Sequence, residues 1–518
     1  MNSFVKYRFI FCLLLVILSV GLFPLHAQNA EESFSSDFYP ENTEIVSENS
    51  QENISDDETS VEETDLSSSE DESENFVIDA KKNYIVALGA PFLISGFLGT
   101  WNRLVTDSSW AQVTFNSMIH FYKKSYEFDN DYYWTNFVLH PYQGGLSYMA
   151  ARNCNLNFFE SSAIALLGST MWEYFFELTP VSYNDLIYTP IGGIAVGEML
   201  YRLSLEADRF NNAFGIVLNP MRIYTDPILR REPSGSTGNI RELWLSLGIG
   251  GGRAKGIVEN TVLPEDGYEQ FPVFGSGKFG VVYGNPYGYS TNDPYSQFEL
   301  EAGFSLGKGS GYGSDDLRKK LMYEISIESN GLFWSRGILK DRTRTTLGLG
   351  MDYDFTWSNL IVVSTLAPGF FVKQKVSFDR SYIAWQLHTD WLLFGTSGNY
   401  LVLRGLSDLS GVKYWRNYNY MTGFQLVAKF DWDLSSKYHL SLNYHGYYGY
   451  EFPLQKVSYT STGWELINIF KISYERIMEK GISLGATNEF YCKKTFSDTL
   501  NDNLLLVDSL RCYIKKYF

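Results

Sequence analysis

The chain has 518 residues, 45% of them apolar and 17% aromatic, and a formal charge of −17. That charge is lopsided: residues 28–78 hold 17 Asp or Glu and no Lys or Arg, while 79–518 carry 40 bases against 42 acids. A near-neutral folded part offers no basic footprint for nucleic acid, so none is expected as a partner.

In chain order, the first predicted element is a secretory signal over residues 1–27. Lys6 and Arg8 form its basic start, Phe9 to Phe23 its apolar core, and Leu25-His26-Ala27 its cleavage region. The alternative is an anchor retained in the inner membrane, but polar sequence follows at once. Residues 28–78 are rich in Ser and Glu with almost no aromatics after Tyr39. Such a segment cannot bury enough surface to offset its ordering entropy, and it reads as a disordered periplasmic spacer. A tether for cations or a basic partner is the functional alternative.

A helical domain is expected over 79–230. Its first apolar stretch, 84–100, is interrupted by Gly89, Pro91, Ser95 and Gly96, which is compatible with export. Asn157 followed by Glu160 predicts a capped helix over about 158–178, and Ser182 with Asp185 predicts another ending near Arg202. On the first of these, Ser162, Ser169, Glu173 and Glu177 form one polar stripe among apolar and aromatic residues. On the second, Gly193 and Gly197 allow close backbone approach beside Glu198.

From 231 to 518 the pattern changes to a period of two. Leu347, Leu349, Met351, Tyr353, Phe355 and Trp357 alternate with Thr346, Gly348, Gly350, Asp352, Asp354 and Thr356. Such segments have one apolar and one polar face. Thirteen candidates are 241–252, 271–284, 296–307, 319–333, 344–357, 360–376, 381–394, 398–407, 420–434, 437–450, 463–475, 481–494 and 506–518. Bacterial barrels have even strand numbers, so about 12, possibly 14, are expected. The predicted class is an all-β transmembrane antiparallel barrel preceded by an α-helical domain, mixed overall.

A soluble β-sandwich would also alternate. The last strand favours the membrane: Phe518 ends the chain, with Ile514, Cys512 and Leu510 at alternate positions and only Lys516 out of pattern. Outer-membrane barrels are similar in this terminal aromatic, which implies outer-membrane lipid and the barrel-assembly machinery as partners. Three cysteines follow the signal, an odd number that is no disulfide framework. Cys492 and Cys512 are read as small apolar side chains on the final two strands, with opposition of the two across those strands as the alternative.

His140-Pro141-Tyr142 with Gly144 and Arg152, Trp172-Glu173-Tyr174 with Glu177, Pro180 with Asp185, and Gly193 with Gly197-Glu198 complete the helical-domain motifs. Together they resemble a bacterial family catalogued as domain of unknown function 3943, over 128 to 202. The resemblance implies an exported envelope protein and brings no assigned activity.

Three chemistries fit these residues. His140, Ser169, Glu173 and Asp185 are candidates for a hydrolase or acyltransferase acting at a lipid surface. His140, Glu177 and Glu198 are candidates for a divalent metal. The third is a buried structural network of Arg152, Trp172, Glu173 and Glu177 with Gly193 and Gly197, in which Arg152 faces Glu173 or Glu177. No nucleophile elbow, phosphate loop, dinucleotide fingerprint or HExxH motif occurs, and no cofactor is expected. In the barrel, His388, His439 and His445 lie on polar-parity or loop positions, and His439, Ser441, Asn443 and His445 share one inward face. A hydrated lumen lining or a lumenal lipid-deacylase-like site would both produce that row. The leading expectation is a barrel whose helical plug, at or partly inside its periplasmic mouth, controls passage of small solutes or anchors the protein in an envelope structural role. A surface adhesin using the 253–270 and 308–318 loops is a further one.

Overall fold

The computed structural model describes residues 81–129, 131–231, 238–258, 261–262, 268–309, 321–398, 418–435, 437–451, 462–498 and 502–518. The expected signal and spacer, residues 399–407 of one expected strand and residues 310–318 of one expected loop lie outside them; of the expected 253–270 loop only 259–260 and 263–267 do, while 253–258 and 268–270 belong to strands.

Four long helices come first: α1 Tyr84–Leu104, α2 His140–Asn153, α3 Phe158–Phe175 and α4 Tyr183–Ala207. Two short ones follow, α5 Asn212–Leu218 and α6 Arg222–Leu229. The starts of α3 and α4 are where the capping residues place them. Asn157 and Glu160 close a reciprocal capping box, and Ser182 accepts from the Asp185 amide. α3 stops at Phe175, short of Glu177, while α4 runs past Arg202 to Ala207. α2 and α4 cross with their backbones almost touching. A Cβ at Gly193 would lie 2.6 Å from the Gly144 carbonyl carbon, so the crossing requires glycine on both helices.

Twelve long strands follow: β1 Ile240–Val258, β2 Tyr268–Tyr283, β3 Phe298–Lys308, β4 Leu321–Lys340, β5 Thr343–Ser358, β6 Val362–Ser377, β7 Tyr382–Gly398, β8 Tyr418–Leu434, β9 Tyr438–Glu451, β10 Gly463–Ile477, β11 Ile482–Ser497 and β12 Asn503–Tyr517. Each pairs antiparallel with the next, and β12 pairs back onto β1 from Asn503↔Val258 to Tyr517↔Trp244. Closure leaves no wall edge, as the lower expected count requires. The two-residue strand Thr261–Val262 only extends the β1 side. Cys492 and Cys512 do not oppose each other, because the β11–β12 register pairs them with Leu506 and Ala486.

Inward side chains fill the lumen. Lys373 and Lys429 reach across to Glu299 at 2.9 and 3.3 Å, and Arg511 reaches Glu324 at 3.8 Å. Lys471 also pairs with Glu328. An apolar layer that includes Val363, Leu392, Met421, Ile467, Tyr491 and Leu505 lies nearer the end with the longer connections. A cavity of about 50 Å³ lined by Phe274, Glu324, Leu360, Tyr491 and Arg511 remains beside it, room for a few waters. The opposite end carries both barrel termini and the short turns Asp341-Arg342 and Asp379-Arg380.

The helices do not enter this lumen. They meet the wall on the parity that carries Leu347, Leu349, Phe370 and Phe424, the outward one. Tyr353 and Phe355 on β5, Ser364 and Leu366 on β6, Phe394 on β7, and Tyr418 and Tyr420 on β8 all point outward and are buried. Tyr133, Phe137 and Tyr188 pack their rings on them. Tyr353 donates to the Phe137 carbonyl at 2.6 Å, and the Tyr188 and Ser364 hydroxyls meet at 2.5 Å. Near the short-turn end Arg202 binds Asp293 at 2.8 Å and lies over Tyr283. α4 has 25 residues, and at about 1.5 Å per residue it runs roughly 37 Å along the wall. The expected plug inside or under the mouth is therefore replaced by a helical layer beside the barrel. The lumen already holds its own charges, and the apolar helix faces find cover on outward rings.

Candidate functional site

The chemistry of the helical domain gathers where α2 and α4 begin and α3 ends. Tyr126–Glu127 and Val181–Ser182 pair there as a short parallel ladder, bringing the 129–131 loop onto the start of α4. Asp129 accepts from Asn136 Nδ2 at 2.8 Å, Ser182 Oγ at 2.8 Å and Asn184 Nδ2 at 2.9 Å. His140 Nε2 lies 3.7 Å from an Asp185 oxygen and 4.0 Å from one of Asp131. Glu173 accepts the Ser182 amide at 2.8 Å. Glu177, beyond the end of α3, accepts from Trp172 Nε1 at 2.5 Å and from Thr179 at 2.9 Å. Lys124 caps the same helix end, donating to the Glu177 carbonyl at 2.8 Å and to that of Glu173.

Burial pushes the Glu177 carboxyl above its usual value, and the nearby Asp131 charge adds to this. Burial lowers the Lys124 ammonium, and Glu177 and Glu173 oppose that. The cluster is thus acidic and proton-hungry, with His140 and Lys124 as its cations.

Of the four catalytic candidates, His140 and Asp185 are brought together. Glu173 stands beside them on Ser182, and Ser169 is tied to the Asp185 carbonyl at 3.1 Å. The metal candidates split. Glu198 lies in a second group, fully buried and bound by Arg152 at 2.9 Å, Arg202 at 2.7 Å and Tyr148 at 2.9 Å. The carboxylate that Arg152 faces is therefore Glu198, not Glu173 or Glu177. Residue spacing favoured the wrong partner because α2 packs on the middle of α4, through Gly145 and Gly197. Asp129, Asp131, Asn184 and Lys124 were missed. Loop acids normally read as solvated, and only the position of Asp129 and Asp131 just ahead of His140-Pro141 hinted otherwise.

In the barrel, His388, His439 and His445 all face inward. His439 pairs with Asp431 at 3.2 Å, and His445 lies 3.6 Å from Asp354. Ser441 is engaged with Asn443 at 3.4 Å, so the row holds no assembled Ser–His pair among the described contacts. Phe518 faces outward at the rim, its amide on the Leu243 carbonyl at 2.9 Å. Lys516, the exception in the terminal pattern, donates to the Lys480 carbonyl.

No curated protein matches this chain. Among solved structures it is similar to the transport unit of the autotransporter AIDA-I from Escherichia coli, at 10% identity and a TM-score of 0.24, covering 54% of this chain and 92% of that one. A Pseudomonas aeruginosa FadL homologue matches at 9% identity and a TM-score of 0.23, covering 58% and 94%. OmpT, an outer membrane protein of Vibrio cholerae, matches at 10% and 0.20, covering 53% and 98%. These are outer-membrane barrels, but at such scores the likeness carries no argument, and the closed strand ladder itself establishes the barrel.

Two outcomes test this site. Glu198→Ala leaves two buried guanidinium groups without their carboxylate and should cost about 3–5 kcal/mol, with Glu198→Gln costing less; thermal unfolding in detergent measures both. The folded state holds the Glu177 proton more firmly than the unfolded chain, so its contribution is lost as pH rises from its ordinary value of 4.5. Trp172 fluorescence should report a helical domain more stable near pH 5 than near pH 8, and Glu177→Gln should flatten that slope. Residues 125–221, which lie against the closed twelve-strand barrel, match the family model described as domain of unknown function (DUF3943).

Proposed function

We propose that this protein is a non-conducting outer-membrane barrel that carries its DUF3943 helices within the lipid beside it, as an envelope structural unit. The observation that carries the reading is the helices' contact with the outward wall, through Tyr353, Phe355, Ser364, Phe394, Tyr418 and Tyr420. A wall that faces lipid elsewhere places whatever covers it in the same layer. α1 supports this: it has 21 residues, an 18-residue stretch of mean hydropathy 1.5 and enough length to cross a membrane. Its Ile85, Phe92, Phe97 and Leu104 are exposed, as are Phe159 and Leu166 of α3.

The charge pairs and apolar layer in the lumen argue against passage of solutes. By the usual rule that short turns face the periplasm, the helices leave the short-turn side, and their acidic cluster comes to the long-loop side. The N-terminal part then starts in the periplasm, after an exported leader.

A second reading, an envelope lipid hydrolase or acyltransferase, has one observation in its favour: Asp131, near His140, has a side chain 55% exposed. It would open the His140–Asp185 pair to head groups.

Purified protein in planar bilayers should show no conductance above the lipid background, and brominated lipids should quench Trp101 on α1. Steady pore currents together with an unquenched Trp101 would reject the leading reading. For the second, cells expressing a folded His140→Ala, Glu173→Ala variant should show an altered lipid profile against wild type; unchanged lipids would remove it.

A further inference from the structure

One group of side chains in the lumen is built differently from the ion pairs around it. Asp352 on β5 and His388 and Asp390 on β7 face inward and are buried, with Asp390 only 1% exposed. One donor atom from each, two carboxylate oxygens and an imidazole nitrogen, lie within 4.8 Å of one another. β6 runs between their strands and places Ala367 opposite Asp352, Gly369 opposite Asp390, and Phe371 opposite His388, whose ring it meets at 4.0 Å between centroids. A Cβ at Gly369 would sit 2.1 Å from Asp390 Oδ1, so the bare backbone there is what lets the carboxylate reach across.

The hydrogen bonds fix which atoms are donors. Gln386 Nε2 donates to Glu299 at 2.9 Å, which turns Gln386 Oε1 toward His388 Nε2 at 3.3 Å. With the ring proton on Nε2, His388 Nδ1 presents its lone pair 3.1 Å from Asp352 Oδ2. Among the described residues, neither buried oxygen of Asp390 has a hydrogen-bond donor, and neither does Oε1 of Gln425, its cross-strand neighbour. Asp352 Oδ2 accepts from Gln425 Nε2 at 3.1 Å, but the Asp390 oxygens, the Nδ1 lone pair and Gln425 Oε1 converge as acceptors that a cation would satisfy. The chain from Glu299 through Gln386 to His388 is also the outer support that orients a metal-binding imidazole.

We propose that Asp352, His388 and Asp390 bind a divalent cation, Zn²⁺ foremost, which ties β5 to β7 across β6. One imidazole and two carboxylates are a ligand set of that ion. This inference stands apart from the lipid-facing reading of the helices, since it concerns only inward residues of the barrel.

The test uses the full mature chain in detergent, stripped with EDTA and titrated with Zn²⁺ alone. One equivalent should bind, and D390N and H388Q should each weaken binding by at least about 10-fold. D431N, which removes a different lumenal His–Asp pair, should bind as wild type does. Zn²⁺ should raise the temperature at which the folded band converts on a gel for wild type and D431N, but not for D390N or H388Q. D390N in EDTA should melt no lower than wild type, which separates a lost ligand from a misfolded barrel. Equal binding by all four proteins, or less than a tenth of an equivalent bound by folded wild type, would overturn the proposal. So would a D390N barrel that melts well below wild type in EDTA, because Asp390 would then be stabilising without metal.

Discussion

The placement of the helical domain depends on hydroxyl groups set into an otherwise apolar outer wall. Rings alone would not demand a protein cover, because lipid tails solvate Phe355 or Phe394 about as well as another side chain does. The hydroxyls of Tyr353, Ser364 and Tyr418 are different, since hydrocarbon offers them no partner. Each has one on the helical side: the Phe137 carbonyl, the Tyr188 hydroxyl and the Asp131 carbonyl, the last at 2.6 Å. Asn136 adds bonds to Tyr418 and Tyr420 at 3.0 Å each. Polar satisfaction, more than greasy contact, specifies where the helices lie.

Period-two alternation made the barrel legible in the sequence, because parity alone separates the faces. It could not distinguish a lipid-facing position from one covered by helices. Leu349 and Tyr353 share a parity, yet one is exposed and the other buried. A bulge adds to the difficulty. On β7 the register shifts between Asp390 and Phe394, so even positions point inward before it and outward after it. A strict period of two over 381–394 gives no sign that Phe394 belongs to the helical interface.

The candidate site was half legible for a related reason. Caps are local, so Asn157 with Glu160 and Ser182 with Asp185 could be read directly. Partner choice between helices depends on where their axes cross. The glycines at 144, 145, 193 and 197 set that crossing, and it brings Arg152 to Glu198 while keeping Glu198 away from His140. Loops that fold back, as 124–131 does, leave no periodic trace at all. The lumenal triad has the opposite character: its three members sit on regular strands, but their meeting depends on an intervening glycine whose importance appears only with the register known.

The helical layer covers outward residues from Tyr283 on β2 to Tyr420 on β8, whereas the closing pair of the barrel, β12 on β1, keeps its outward Leu247, Ile249, Leu510 and Ile514 exposed. The part of the circumference that must zip shut last is thus the part that the earlier-made domain leaves bare. Helices docked early on the middle strands can template half the cylinder while both free edges remain accessible to each other. An N-terminal domain of this bulk would otherwise obstruct its own barrel, and its position clear of the seam makes the order of synthesis and the order of closure compatible.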